Sequence, residues 1–436
     1  MLTNKFIFLA LVIASFTSLT AQDKKLNFFI FVADDQYMDS LGCYNDGVTQ
    51  TTPNIDAFAS AALKFTNAYT PSAMCAPSRG ALYSGIYPLR NGLHANHWKY
   101  FKEVKTLPDH FTDLGYESIL VGKNHVKSKG NKYYKWSRQV ANEEGIPGDP
   151  SKHRTFNDEK ITQLLSSLDK PFVMVYGSNL PHAPYIEEGY KGFQKYEASN
   201  KFVDDEFGRF MKIFNTLNLE ENTVIIYLSD HGANIPWSKW TSYNRGVKIP
   251  VMVQWPGMKM SAETSALISM VDFLPTLLDA AGKEDLSSFD GKSLVNVIKN
   301  SSPSQHKEVF FAHTSMNINE VQEPYPIRGV SDGRYKLIQN LNPSIKHPKV
   351  KEFYTGEATE WELYDTSKDK EENANLVNNP EKREIFEKLK KSLLAWRQSQ
   401  QDGGLEAEHL IKPRTNTKKA EAKKKKRKGT KKGSSK

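Results

Sequence analysis

Cysteine is nearly absent from this chain: its 436 residues include only Cys43 and Cys75. That excludes a disulfide scaffold, which needs many more bridges for its size. The two either form one bridge or leave at least one thiol for chemistry. Long apolar runs are missing as well. Beyond the N-terminus nothing approaches the ~20 apolar residues that span a bilayer, which excludes a transmembrane segment. No internal repeat is visible, so repeat architectures fall away. A basic excess is also missing from the body, although the whole chain carries a formal +9. From Lys412 to Lys436 there are thirteen Lys and Arg against one acid, Glu421, a net +12 that leaves −3 for the rest. Such a body gives no ground for specific nucleic-acid binding.

With 39% hydrophobic and 11% aromatic residues, a sizeable core is within reach. Lys5, the apolar run Phe6–Ala14 and Leu19-Thr20-Ala21 before Gln22 read as a signal peptide over 1–21. Export to the periplasm or the exterior follows, and with no Cys near the cleavage point no lipid anchor is indicated. The basic segment, placed at 401–436, holds Gly, Ser and Thr among its lysines and is expected to be disordered. It reads either as a contact for polyanions or as a solvated end.

Four apolar runs read as buried strands: Leu26–Ala33, Ser118–Val121, Phe172–Tyr176 and Thr223–Leu228. Helical spacing separates them. Ile55, Phe58, Ala59, Ala62 and Leu63 follow the start signal Thr52-Pro53-Asn54, and Phe207, Phe210, Met211 and Phe214 precede the fourth strand. Alternating strands and helices indicate an α/β fold with a largely parallel sheet, assigned to a catalytic domain over 22–300. Val271–Leu278 reads as a packing helix. Strand-like pieces at Glu308–Ala312 and Tyr335–Ile338, then a helix over Pro380–Gln398 marked by Ile385, Leu389, Leu393, Leu394 and Trp396, form a smaller C-terminal α+β subdomain over 301–400.

Each of the four strands is followed by polar residues: Asp34 and Asp35; Lys123 and His125; Pro181-His182; Asp230 and His231. Ligands of open α/β sheets bind beyond the carboxyl ends of the strands, so the four clusters should converge. Asp34, Asp35 and Asp230 are hard oxygen ligands, suited to Ca²⁺ in preference to Mg²⁺ when the sphere is large and irregular. His231 is the least typical member of that set. In Cys75-Ala76-Pro77-Ser78-Arg79-Gly80, Pro77 is placed to open a helix, with Cys75 just before it where N–H groups favour an anion and Arg79 adding fixed charge.

Cys75-Ala76-Pro77-Ser78-Arg79, within Thr70–Gly85, resembles the modification signature of formylglycine-dependent sulfatases. Thr52-Pro53-Asn54-Ile55-Asp56, Gly122-Lys123-Asn124-His125, Pro181-His182-Ala183-Pro184, Ser229-Asp230-His231-Gly232 and Leu363-Tyr364-Asp365 with Glu372–Leu376 are similar to further motifs of that family. The resemblance runs from about Asn27 to residue 398. It implies an alkaline-phosphatase-like fold, a large mixed sheet flanked by helices. It implies that Asp34, Asp35, Asp230 and His231 hold a metal together with residue 75, oxidised from cysteine to Cα-formylglycine by a formylglycine-generating or sulfatase-maturating enzyme. Arg79 and Lys123 would neutralise the nucleophile and sulfate, His125 would hold the hydrated aldehyde, His182 would face the leaving oxygen, and Lys239 would contact a sulfate oxygen.

Two departures stand out: His231 where many sulfatases have Asn, and Asn244-Arg245-Gly246 where Glu-Gly-Gly is common. The implied substrate is a sulfated saccharide, including glycosaminoglycans, with His94, His97, Trp98 and Arg245 as candidate specificity residues. A phosphonate or phosphodiester hydrolase with the same machinery is the alternative enzyme. The non-enzymatic alternative is a polyanion binder acting through its tail.

Overall fold

In the computed structural model, residues 25–45, 52–96, 104–126, 134–146, 153–185, 193–258, 261–314, 324–345 and 359–409 are described. The expected signal peptide, His97, Trp98 and residues 410–436 lie outside them.

All four expected strands are present, as Asn27–Ala33, Glu117–Gly122, Phe172–Gly177 and Thr223–Ser229. They lie side by side in an eight-stranded sheet. Its order is Ala262–Thr264, Leu63–Phe65, Val251–Gln254, Thr223–Ser229, Asn27–Ala33, Phe172–Gly177, Glu117–Gly122 and Arg138–Val140. The last five are mutually parallel, while Val251–Gln254 runs antiparallel to both its neighbours, so the sheet is mixed. Register fixes the functional edge: Ala33 pairs with Ser229, Val32 with Gly177, and Gly177 with Gly122. The residues that follow each strand therefore emerge at one level.

Alternation along Asn27–Ala33 builds two cores. Phe28, Ile30 and Val32 pack on one face with Leu274, Leu277 and Leu278 of the Phe273–Ala280 helix. Phe29, Phe31 and Ala33 pack on the other with Phe207, Phe210 and Phe214 of the Phe193–Thr216 helix. Burial on both faces is why these strands read as unbroken apolar runs. The first helix is shorter than its spacing suggests. It ends at Ala59, and Leu63, counted on its stripe, instead begins the Leu63–Phe65 strand, where the free edge of Val251–Gln254 offers backbone partners.

The C-terminal sheet is an antiparallel meander of Val309–His313, Ile327–Ser331, Tyr335–Asn340 and Trp361–Asp365. The Arg383–Ser399 helix covers it with Phe386, Leu389, Leu393 and Trp396, whereas Leu394 faces solvent. That core also takes in Ala81, Tyr87, Leu89 and Val271 of the large sheet's layer. The expected start of the tail at 401 needs correction. Asp402 is buried between Arg328 and Arg397, and Gly404–His409 is helical, because a carboxylate shared by two guanidiniums ties the chain down. No helix among the described residues is long and apolar enough to cross a membrane.

Candidate active site

Cys75 is the first residue of a helix, Cys75–Ser84, with Met74 as its extended N-cap. The helix thus starts two residues earlier than Pro77 suggested. Proline is tolerated there because the first turn's N–H groups have no intrahelical partner. The Ala76 N–H donates to Asn96 Oδ1 at 2.9 Å, and Ser78 Oγ donates to the Asp230 carbonyl at 2.5 Å, pinning the helix to the neighbouring strand end.

Around the buried Cys75 Sγ the four strand ends meet. His231 Nε2 is 3.2 Å from the sulfur and Asp35 Oδ1 is 3.8 Å from it. His125 and His182 are further hydrogen-bond partners of the thiol group. Lys239 Nζ donates to both oxygens of Asp35, at 2.8 and 2.7 Å, and Lys123 Nζ donates to Asp34 Oδ2. Arg79 Nε donates to Asp230 Oδ2 at 3.0 Å, with Nη2 3.6 Å from Asp34 Oδ1. All of these residues except Lys123, His125 and His182 are buried. The imidazole orientations are fixed from behind. His231 Nδ1 donates to the Gly232 carbonyl at 2.8 Å and His182 Nδ1 to the Ala183 carbonyl, which turns both Nε2 atoms toward Asp35.

The backbone here is bent into unusual conformations. Asp35, His125, Trp237 and Trp240 have φ of 66°, 49°, 60° and 66°, a left-handed region that costs of order 1–3 kcal/mol per residue and clusters at functional sites. Asp35 is held in it by its N–H bond to Asp230 Oδ1 at 3.1 Å and by Tyr196 OH on its carbonyl at 3.2 Å. Gly177 leaves space for the cations: a Cβ there would lie 2.3 Å from the Lys123 carbonyl oxygen and 3.0 Å from Arg79 Nη1.

Electrostatics follow from this crowding. Burial alone would raise the Cys75 thiol, but Lys239, Lys123 and His231 bring it well below its ordinary value. Burial would lower His182, yet Asp35 and Asp34 push it up to about 9; His231 also reaches about 9, against burial, mainly through Asp230 and Cys75. Asp34 is likewise held far below the carboxylate range: burial would raise it, but Lys123, His182 and Arg79 together outweigh that. Asp230 moves the other way, raised by burial. His182, raised by its carboxylate neighbours, together with Arg79, Lys123 and Lys239 outnumbers the carboxylates Asp34, Asp35 and Asp230, so the site favours an anion.

The donor set also suits a cation. Asp34, Cys75 and Asp230, and likewise Asp35, Cys75 and His231, place one ligand atom each within 4.8 Å of one another. Asp34 Oδ1 is buried without a hydrogen-bond partner, an acceptor left over beside them. All ten residues singled out from the sequence are thus in one cluster. Of the candidate specificity residues, His94 is half-buried with Nε2 3.3 Å from the Leu89 carbonyl, and Arg245 pairs with Glu371 at the surface. Cys43 and Cys75 are both free thiols. No local signal in the sequence marks Asn96, whose contact crosses twenty residues, or the hydrogen bond of Ser78 to the Asp230 carbonyl.

Comparison with known proteins matches the sulfatase family profile to residues 26–283. The chain belongs to the sulfatase family, enzymes that hydrolyse sulfate esters. The C-terminal profile of N-sulphoglucosamine sulphohydrolase matches residues 232–399. An ulvan-active sulfatase of Formosa agariphila is 32% identical to this sulfatase, over 90% of this chain and 83% of its own. Human N-sulphoglucosamine sulphohydrolase is 24% identical over 85% and 89%. The structure of a protein in complex with its substrate D-glucosamine-2-N,6-O-disulfate superposes with a TM-score of 0.71 at 19% identity, over 88% of this chain and 99% of that one. The fold is accordingly the alkaline-phosphatase-like fold of sulfatases.

Proposed function

We propose that this sulfatase removes sulfate from a carbohydrate, using a formylglycine made from Cys75 and a Ca²⁺ ion held by Asp34, Asp35, Asp230, His231 and residue 75. The observation that carries the reading is the placement of Cys75 Sγ, at a helix N-terminus and 3.2 Å from His231 Nε2, in a buried ring of carboxylates and cations. The sulfur stands in for an oxygen of the hydrated aldehyde. Three carboxylates favour a hard cation, and Ca²⁺ tolerates an irregular sphere better than Mg²⁺. Such a cation would acidify a hydroxyl of residue 75 and neutralise sulfate charge.

The chain's own groups account for the rest. Arg79, Lys123 and Lys239 draw in the sulfate and hold its oxygens. With residue 75 as the hydrate, one hydroxyl would give its proton to Asp230 as its oxygen attacks sulfur, and the bond from sulfur to the sugar oxygen would break. His182, raised by Asp35 and Asp34 and partly exposed where most of the other site groups are buried, gives its proton to that leaving oxygen. The second hydroxyl then loses its proton to His125, the carbon–oxygen bond to sulfate breaks, and the aldehyde returns.

The names of the relatives support a sulfated saccharide as substrate. The N-terminal pattern supports export, with a maturation enzyme acting on Cys75. A catalytic part to about residue 300, a C-terminal part to 409 and a basic tail beyond it fit the ion pairs of Asp402. Metal-loaded protein carrying formylglycine should turn over a chromogenic aryl sulfate faster than the matching aryl phosphonate, and should release sulfate from sulfated saccharides. Turnover of the phosphonate alone would overturn the reading.

A further inference from the structure

Two buried ionisable side chains of the C-terminal part take no role in the chemistry above. Lys336 lies on the Tyr335–Asn340 strand and Glu372 in the turn after Trp361–Asp365. Their side chains are 0% and 1% exposed, and Lys336 Nζ is 3.0 Å from Glu372 Oε1. Burial drives both toward neutrality, lowering Lys336 and raising Glu372. Desolvation offsets the attraction in such a pair, so stability alone is a weak reason for it.

Its contacts supply another reason. Lys336 Nζ donates to the Ser242 carbonyl at 3.2 Å and to Asn244 Oδ1 at 2.5 Å, and the Asn244 N–H donates to Glu372 Oε2. Between them, Tyr243 OH donates to Glu362 Oε2 at 2.7 Å. Three consecutive residues are thus gripped by the C-terminal sheet. The same segment enters the active site on both sides of that grip. Lys239 reaches Asp35, and the Trp240 N–H donates to the Ala73 carbonyl at 2.9 Å, two residues before Cys75. The Gly246 carbonyl accepts from the Gly232 N–H at 2.9 Å, next to His231. Trp237 and Trp240 sit in left-handed conformations on either side of Lys239, as does Glu372 at φ 55°. A loop with such strain keeps its shape only when its surroundings fix it.

We propose that the Lys336–Glu372 pair is a positioning device: by clamping residues 242–244 it holds the preceding turn so that the Lys239 ammonium stays at the sulfate site. The inference rests on the sulfatase reading of Lys239. It also gives a physical task to Glu372 in the chain's closing motif and to Asn244, one of the chain's departures from the family pattern.

The test is a double-mutant cycle on the metal-loaded, formylglycine-bearing enzyme. Glu372→Gln keeps the side chain's shape, and Lys336→Met with Glu372→Gln removes both charges, so that no lone buried charge threatens folding. Each should lower kcat/KM for an aryl sulfate on the order of 10- to 100-fold, the loss expected when a group near the chemistry moves by about 1 Å. In a Lys239→Ala background the same changes should cost less than about threefold, because the residue they act through is gone. Where Lys239→Ala turns over too slowly, the same cycle is run on the affinity for inorganic sulfate by calorimetry, which needs no turnover. Additive losses in both backgrounds, or no loss from the clamp variants, would overturn the positioning role while leaving the sulfatase reading intact. Full activity of Lys239→Ala would overturn the reading of the site, and the inference with it.

Discussion

Arg79→Ala removes a cation that two buried carboxylates share. Arg79 is fully buried, its Nε lies 3.0 Å from Asp230 Oδ2, and its Nη2 is 3.6 Å from Asp34 Oδ1. Deleting one partner of a buried ion pair costs about 3–5 kcal/mol, because the other charge is left uncompensated. Asp34 keeps Lys123, so the loss falls mainly on Asp230 and the lower end, about 3 kcal/mol, applies. For 436 residues and an unfolding entropy of ~2.1 cal/mol/K per residue, that lowers Tm by roughly 3–4 °C. The shift should be largest in chelated protein and smaller with Ca²⁺ bound, since the ion compensates the freed carboxylates. It should also shrink in acid, where Asp230 takes up a proton and needs no cation. Turnover should be lost under all these conditions. Scanning calorimetry at a fixed scan rate, with and without chelator, reads the stability effect. An unchanged Tm in chelated protein, or an active Arg79→Ala enzyme, would refute the reasoning.

Other consequences are as direct. Asp34→Ala or Asp230→Ala should abolish turnover, and chelation should do so reversibly on return of Ca²⁺; activity surviving both treatments in an aryl sulfate assay removes the metal. His110, lowered to about 4 by burial and by Lys105 and Lys283, contributes stability that is complete above its unfolded value of 6.5. That contribution drains as pH falls from there to about 4, so His110→Gln should flatten that stretch of a denaturation-versus-pH profile. Truncation after residue 409 should leave turnover of a small aryl sulfate unchanged and weaken retention on anionic polymers at low salt, with the difference fading as salt rises. Loss of small-substrate turnover would place the tail within the catalytic fold.

The strands and the converging site were legible because both rest on local signals. A strand buried on both faces must be an apolar run, and its functional residue follows immediately, as Asp34 follows Ala33 and Asp230 follows Ser229. What was not legible depends on partners distant in sequence. Leu63 carries helical spacing yet joins a strand because Val251–Gln254 has an open edge. Asn96 stabilises the Cys75 helix across twenty residues, and Asp402 orders the chain beyond residue 400 through Arg328, seventy-four residues away. Lys336 and Glu372 carry no local sign of burial in the sequence, and only the C-terminal sheet shows that they are buried against the Lys239 segment.

The central claim, that residue 75 acts as formylglycine, is tested most directly by measuring the Cys75 peptide mass and the aryl sulfatase activity on the same samples. Protein made with and without a maturation enzyme gives a range of conversion, and oxidation of the thiol to the aldehyde lowers the peptide mass. The expected result is activity proportional to the aldehyde fraction and absent from pure thiol, with no Cys43–Cys75 bridge in the active protein. Full activity in protein whose residue 75 is entirely thiol would contradict it.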